Sequence, residues 1–323
     1  MRNIIVLMLM LFCFVWLAGE SVLNRSNSPW SKSANPEELY NQALYYDAGV
    51  GAEPNKREAM RLLRLSAEKN FSRAQYKLGL CYYHGDGVEQ DYLTALNWFS
   101  QAARQGLPEA QYSLGLCYAM GNGVERDCES AALWFRRAAE QGYSKAQYCL
   151  GCCYDFGEGV SEDKSESVRW YHRAAQSGNA SAQYSLACCY DFGEGVETDR
   201  AKAIQWYESA ASQGHPGAQF NLATIHFNGE GVPVDYGQAV KWYRLAAEQG
   251  FADAQFVLGN CYYGGLGLTR DDGEAIFWWK LAASSGHETA RYTFEKVSRD
   301  LTEEQLQQLQ ARAEKWSASR PLN

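Results

Sequence analysis

Residues 146–181 read AQYCLGCCYDFGEGVSEDKSESVRWYHRAAQSGNAS, and residues 182–217 read AQYSLACCYDFGEGVETDRAKAIQWYESAASQGHPG. Overlaid, the two stretches keep Ala at position 1, Leu at 5, Gly-Glu-Gly-Val from 12, Asp at 18, Trp at 25 and Ala-Ala at 29 and 30. Working outward, the opening Ala recurs at Ala74, Ala110, Ala146, Ala182, Ala218, Ala254 and Ala290. The period is 36 residues, with no insertion or deletion. A repeat of this length specifies a solenoid, in which each unit buries its apolar face against its neighbours.

Each unit predicts two helices. In the unit opening at Ala74, the first covers positions 1 to about 11, Ala74 to His84, with apolar residues at 1, 5, 8 and 9 in helical spacing. Gly-x-Gly-Val follows, as in Gly85-Asp86-Gly87-Val88. Glycines there supply positive φ for a tight reversal. Position 18 is Asp91, Asp127, Asp163, Asp199, Asp235 and Asp271, with Asn55 in the first unit. Only short acceptors stand there, as the N-cap of a second helix requires. The second helix carries Trp98, Trp134, Trp170, Trp206, Trp242 and Trp278 at position 25, expected in the seam between hairpins. Gly106, Gly142, Gly178, Gly214, Gly250 and Gly286 end it.

The ends depart from the pattern. Arg2 and the apolar run Ile4 to Ala18 predict an export signal over residues 1–20, or an N-terminal anchor in the inner membrane. Fifteen apolar residues are short of the roughly 20 that a spanning helix needs. Glu20 stands where a lipidated Cys would be, which excludes a lipid anchor at this site. Residues 21–36 predict a flexible linker, rich in Ser, Asn and Pro. The solenoid spans 37–295, a degenerate first unit from Glu38 to Arg73 followed by six full repeats. Residues 296–323 form a C-terminal capping helix and tail, opened by the capping box Thr302-Glu303-Glu304-Gln305. Hydrophobic content of 46% is ample for a core. A net charge of −8 leaves no basic stripe for a phosphate backbone, so nucleic acid is excluded as a partner.

The pattern A-x-x-x-L-G-x-x-Y-x-x-G-x-G-V-x-x-D…A…W…A-A…G resembles the Sel-one-like repeat (SLR) family, relatives of the tetratricopeptide repeats, over about residues 38 to 295. The resemblance implies an all-α fold, a right-handed α-solenoid (superhelix) of antiparallel helix pairs. It also implies a scaffold or adaptor binding protein or extended peptide, in bacteria often periplasmic, secreted or part of an envelope-associated complex. One branch, the Helicobacter cysteine-rich proteins, implies an alternative: binding or hydrolysis of β-lactams or cell-wall peptides. That branch carries Cys pairs eight apart across the hairpin junction; here Arg104, Glu140 and Gln176 face Tyr112, Tyr148 and Tyr184.

Chemistry-bearing motifs are few. Ser66 to Lys69 and Ser161 to Lys164 match S-x-x-K, but neither S-D-N nor K-T-G accompanies them. Asp155-Phe156-Gly157 and Asp191-Phe192-Gly193 are the ends of first helices entering their turns, without the remaining kinase motifs. Cys81, Cys117, Cys153, Cys189 and Cys261 share position 8, where Ile225 stands in another unit, so they read as small buried hydrophobes. Cys149, Cys152 and Cys188 lie on one face, as three soft-metal ligands or as a thiol-lined groove. No catalytic set, metal site or cofactor is expected.

Residues constant from unit to unit shape the fold, and those that vary are open to function. On the first helix the variable positions are 4, 7 and 11, one continuous face. They run Lys77, Leu80, His84; Ser113, Leu116, Met120; Cys149, Cys152, Phe156; Ser185, Cys188, Phe192; and Asn221, Thr224, Asn228. First helices are expected to line the concave side, so this strip is the candidate groove for a partner.

Overall fold

A computed structural model describes residues 35–49 and 53–319. The expected export signal and most of the expected linker lie outside the described residues. The linker's last two residues are already structural: the Asn35 side chain caps the first helix and Pro36 opens it. Among the described residues there are sixteen α-helices and no strand, an all-α solenoid of 36-residue helical hairpins.

The described residues divide into two compact units, one up to residue 143 and the other from residue 144. The first holds α1 (Pro36–Ala48), α2 (Lys56–Glu68), α3 (Ser72–His84), α4 (Tyr92–Arg104), α5 (Pro108–Met120) and α6 (Cys128–Glu140). The second holds α7 (Ser144–Phe156), α8 (Lys164–Gln176), α9 (Ala180–Phe192), α10 (Arg200–Ser212), α11 (Pro216–Asn228), α12 (Tyr236–Glu248), α13 (Ala252–Gly264), α14 (Asp272–Ser284), α15 (Glu288–Val297) and α16 (Glu303–Ala318). First helices begin two residues ahead of the repeat's Ala. One extended residue follows the preceding left-handed Gly, and a new helix starts at once, with Pro108 and Pro216 at its first turn.

The punctuation follows the expectation. Asp91, Asp127, Asp163, Asp199, Asp235 and Asp271 each accept the backbone N–H three residues on, at 2.9–3.0 Å. Asn55 does the same for α2. In the first unit Asn70 takes the left-handed position that Gly106 and Gly142 hold in the next two (φ 64°), a conformation Asn tolerates better than other side-chain-bearing residues.

The core is layered by position. Ala74, Leu78 and Cys81 on α3, and Ala95, Ala102 and Ala103 on α4, are buried, and the pattern recurs in the other full repeats, with Ser167 replacing the position-22 Ala in one and Ala283 half-buried in the last. The deepest large side chain is not the Trp at position 25 but its neighbour at 26: Phe99, Phe135, Tyr171, Tyr207, Tyr243 and Trp279 are all at most 4% exposed. Each first helix makes room with a small residue at position 6. A Cβ on Gly79, Gly115, Gly151 or Gly259 would meet the facing ring at 2.6 Å. The position-25 tryptophans sit at the seam as expected: Trp98, Trp134, Trp206 and Trp242 are half-buried against the core of the preceding hairpin.

A polar clamp accompanies them. Gln75, Gln111, Gln183, Gln219 and Gln255 at position 2 are buried and donate Nε2–H to the carbonyls of Ala67, Ala103, Ala175, Ala211 and Ala247. Their Oε1 atoms accept from a Gln thirty residues on: Gln105 to Gln75, Gln141 to Gln111, Gln213 to Gln183 and Gln249 to Gln219, at 2.6–2.8 Å. At the far end, Thr302 and Gln305 form the expected capping box. α16 lies against α14, with Trp316 edge-on to Trp278 at 6.1 Å and Arg312 bonded to Glu274 at 2.6 Å.

Candidate functional site

The three variable positions do not behave alike. Position 11 projects outward: Met120, Phe156 and Phe192 are 64%, 70% and 68% exposed, and His84 and Asn228 are exposed too. Positions 4 and 7 are half-buried: Lys77 and Leu80, Ser113 and Leu116, Cys149 and Cys152, Ser185 and Cys188, Asn221 and Thr224. In the first unit the strip is carried by α3 and α5; in the second it is carried by α7, α9 and α11.

Position 7 varies because it is paired with position 26. Where the facing ring is Phe99 or Phe135, position 7 is Leu80 or Leu116. Where the ring is Tyr171 or Tyr207, its hydroxyl lies 3.4 Å from the Cys152 or Cys188 thiol. Thr224 bonds to the Tyr243 hydroxyl at 2.9 Å, and Asn260 accepts from the Trp279 indole at 3.0 Å. A buried hydroxyl or indole N–H needs a partner, so the two positions change together. Burial pushes the Cys152 and Cys188 thiols up from their ordinary pKa, which keeps both protonated near neutral pH. Position 4 of one hairpin serves the preceding one: Asn221 donates Nδ2–H to the Tyr207 hydroxyl at 3.0 Å.

A second set surrounds the strip at positions 10 and 19 of one hairpin and 13 of the next. Asp155 accepts from the Lys164 ammonium at 2.9 Å, and Lys164 also feels Glu194. Arg200 bridges Asp191 and Glu230. Lys56 reaches Asp86 at 2.5 Å, within the field of Asp47. Where aromatics replace the acid and base, Tyr83 packs edge-on to Tyr92 and Asn122 donates to the Tyr83 hydroxyl at 2.7 Å. The 10–19–13 set was not anticipated, because its members lie nine and thirty residues apart on different helices.

The motif matches dissolve into this framework. The Ser66 hydroxyl is fully buried and donates to the Pro36 carbonyl at 2.5 Å. Ser161 sits in an exposed turn, and Lys164, its spaced partner, is held by Asp155. Asp155 and Asp191 accept from the Tyr171 and Tyr207 hydroxyls at 3.1 and 3.2 Å. Cys152 and Cys188 are each taken up by a different tyrosine and do not converge with Cys149. Among the described residues no group of three or more His, Cys, Asp and Glu is arranged to hold a metal ion.

The fold and strip define a class: a helical-hairpin repeat protein with an invariant core and a variable face. The Sel1 repeat family model matches seven consecutive stretches, residues 39–71, 72–107, 108–143, 144–179, 180–215, 216–251 and 252–287. The chain therefore belongs to the Sel1 repeat family. It is similar to a Sel1 repeat protein from Oxalobacter formigenes, with 33% identity over 83% of this chain and 77% of that one, and a TM-score of 0.71. It is also similar to c5321, a protective antigen of uropathogenic Escherichia coli with an SLR fold, at 30% identity over 89% of this chain and 78% of that one, TM-score 0.44. Cysteine rich protein B of Helicobacter pylori matches at 20% identity over 41% of this chain and 95% of that one, TM-score 0.34. No curated protein matches the chain. Proteins of this repeat family act in general as protein-interaction scaffolds rather than as enzymes.

Proposed function

We propose that the chain is an exported scaffold that binds an extended segment of a partner protein along the first-helix strip, with the position-11 side chains as its contacts. The exposure of Phe156 and Phe192, at 70% and 68% on successive first helices of one unit, carries this reading. Two large apolar side chains held out in water on successive first helices are the mark of a recognition surface. The half-buried positions 4 and 7 form the floor and hold the helices in register. The apolar run Ile4 to Ala18 supports export; no helix among the described residues is long and apolar enough to cross a membrane.

The test is affinity capture with Phe156→Asp plus Phe192→Asp. Both side chains are exposed, so circular dichroism of the variant should match the parent. Loss of captured partners with the helices intact is the expected result. An unchanged set of partners would remove the strip from consideration. Export is tested separately by the N-terminal sequence of the protein isolated from its host. A chain that retains Met1 in the cytosol contradicts it.

A further inference from the structure

Position 34 closes each hairpin and opens the next first helix. Its ring packs on the ring at position 3 of its own unit: Phe71 on Tyr40 at 5.4 Å, Tyr143 on Tyr112 at 5.4 Å and Phe251 on Phe220 at 5.3 Å between centres. The same residue is the N-cap of the helix that follows, where Phe71, Leu107 and Phe251 have no side-chain acceptor to offer. Asn179 caps α9 by accepting the Ala182 N–H at 2.9 Å, but it brings no ring. Histidine does both. His215 stacks on Tyr184 at 4.5 Å, and its Nδ1 accepts the Ala218 N–H at 3.2 Å. His287 repeats the arrangement on Phe256 at 4.6 Å, accepting the Ala290 N–H at 3.0 Å.

Only a neutral imidazole can cap in this way. A proton on Nδ1 sets N–H against N–H and places a positive charge at the positive end of a helix. Asp253 on α13, 3.4 Å from His287 Nε2, gives that ring a partner once it is charged. The half-buried His215 has no such carboxylate among the described residues. Tyr184 on α9 is the titratable group that touches it, and burial pushes that hydroxyl up to about 12. Asp191, Glu208 and Glu248 on α9, α10 and α12, the bases of α10 and α12, and His226 on α11 exert no charge effect on it; burial alone acts, and lowers its pKa. The Tyr184 face attracts a cation, so a charged ring can keep its stack while it turns Nδ1 away from Ala218. We infer that the α10–α11 junction is an acid-sensitive joint, in which protonation of His215 uncaps α11 and frees its first turn. The native histidine binds its proton less readily than an unfolded one. The cap's contribution is therefore complete above about pH 6.5, and is lost as the pH falls below it through the lowered native value. The joint does not depend on what the strip binds.

The chain contains its own controls, because Ala182 is capped by Asn179 and Ala254 has no side-chain cap. Amide hydrogen exchange of the full chain, corrected for intrinsic rates, is compared at about pH 7.5 and about pH 4.5, with nitrogen spectra of the histidines recorded alongside. The Ala218 amide should match Ala182 at the higher pH and lose about tenfold in protection at the lower, approaching Ala254. Ala182 should keep its protection at both. The spectra should show an unprotonated His215 Nδ1 at the higher pH and protons on both nitrogens at the lower. His215→Asn, which keeps a cap that cannot titrate, should hold Ala218 protected at both values. His215→Phe, which keeps the ring and removes the cap, should leave Ala218 open at both. A ring that stays neutral at the lower pH, a parallel opening of Ala182, or the same acid response in His215→Asn overturns the proposal.

Discussion

At the scale of single residues, the decisive contact is position 6 against position 26. Four hairpins place Gly beneath the ring, and two place Ala187 beneath Tyr207 and Ala223 beneath Tyr243, all fully buried or nearly so. The Ala-bearing hairpins show that a tyrosine ring can shift enough to admit one methyl. Gly151→Ala, under Tyr171, therefore trades a ring displacement against the roughly 1 kcal/mol that Ala gains over Gly inside a helix. Its net effect should lie within about 1 kcal/mol of zero. Gly259→Ala is different, because the ring is the larger Trp279 indole and the Ala275 carbonyl also lies 3.1 Å from the new methyl. Overpacking there should cost about 1–3 kcal/mol. Urea melts of the two variants side by side decide the matter. Equal losses would mean that the Tyr207 and Tyr243 hairpins are no guide to the others.

At the scale of elements, the seam between hairpins is held by an apolar contact and a polar one. The tryptophans provide the first, and the Gln clamp provides the second. Position 32 is Gln in most hairpins, but Ser285 stands there in the last, and Gln255 Oε1 is buried with no donor among the described residues. Ser285→Gln should complete the clamp, as Gln249 does for Gln219, and stabilise the chain by about 0.5–1.5 kcal/mol. The reverse change, Gln213→Ser, strips the donor from Gln183 and should cost a similar amount. A thermal melt of Ser285→Gln that does not move, or moves down, would show that Gln255 is satisfied by water and that the clamp adds nothing. The hairpins, their caps and the tryptophan seam were legible in the sequence because each depends on residues close together: Asp and the amide three residues on, Gly and its own φ. The clamp was not legible, although Gln recurs at position 2 in all six repeats. A conserved polar residue reads as surface until its partner, thirty residues away, is known to face it. The ring at position 26 escaped for the opposite reason, since Phe, Tyr and Trp alternate there while the neighbouring Trp is constant. The strip itself was half legible. Variation marked positions 4, 7 and 11, but at position 7 it follows the ring opposite, and only position 11 remains available to a partner.

At the scale of the whole molecule, a solenoid's liability is its ends, where a hairpin has a neighbour on one side only. At the N-terminal end the degenerate unit closes the first core with Leu39, Ala43, Leu62 and Leu63, replacing the seam Trp with Leu62. At the C-terminal end α16 performs the covering. Leu309, Ala313 and Trp316 pack on the cluster that contains Phe277, Trp278 and Leu281, and the Arg312 guanidinium lies 3.7 Å from the centre of the Phe277 ring. Arg312 thus meets both Phe277 and Glu274, so one side chain covers an aromatic face and neutralises an acid. Ending the chain at Asp300 removes all of these at once. Trp278 and Phe277, at 6% and 2% exposure in the intact chain, would then face water. Leu309 and Trp316 are only partly buried, so the loss should be about 2–3 kcal/mol of stability in the last hairpins. Because repeats unfold from their ends, a low-temperature shoulder should precede the main melting transition. The exposed tryptophan face should also make the truncated chain self-associate, seen as a concentration-dependent mass by light scattering. A truncated chain that stays monomeric and melts in one transition at the parent temperature would mean that α16 rests on the repeats without closing them.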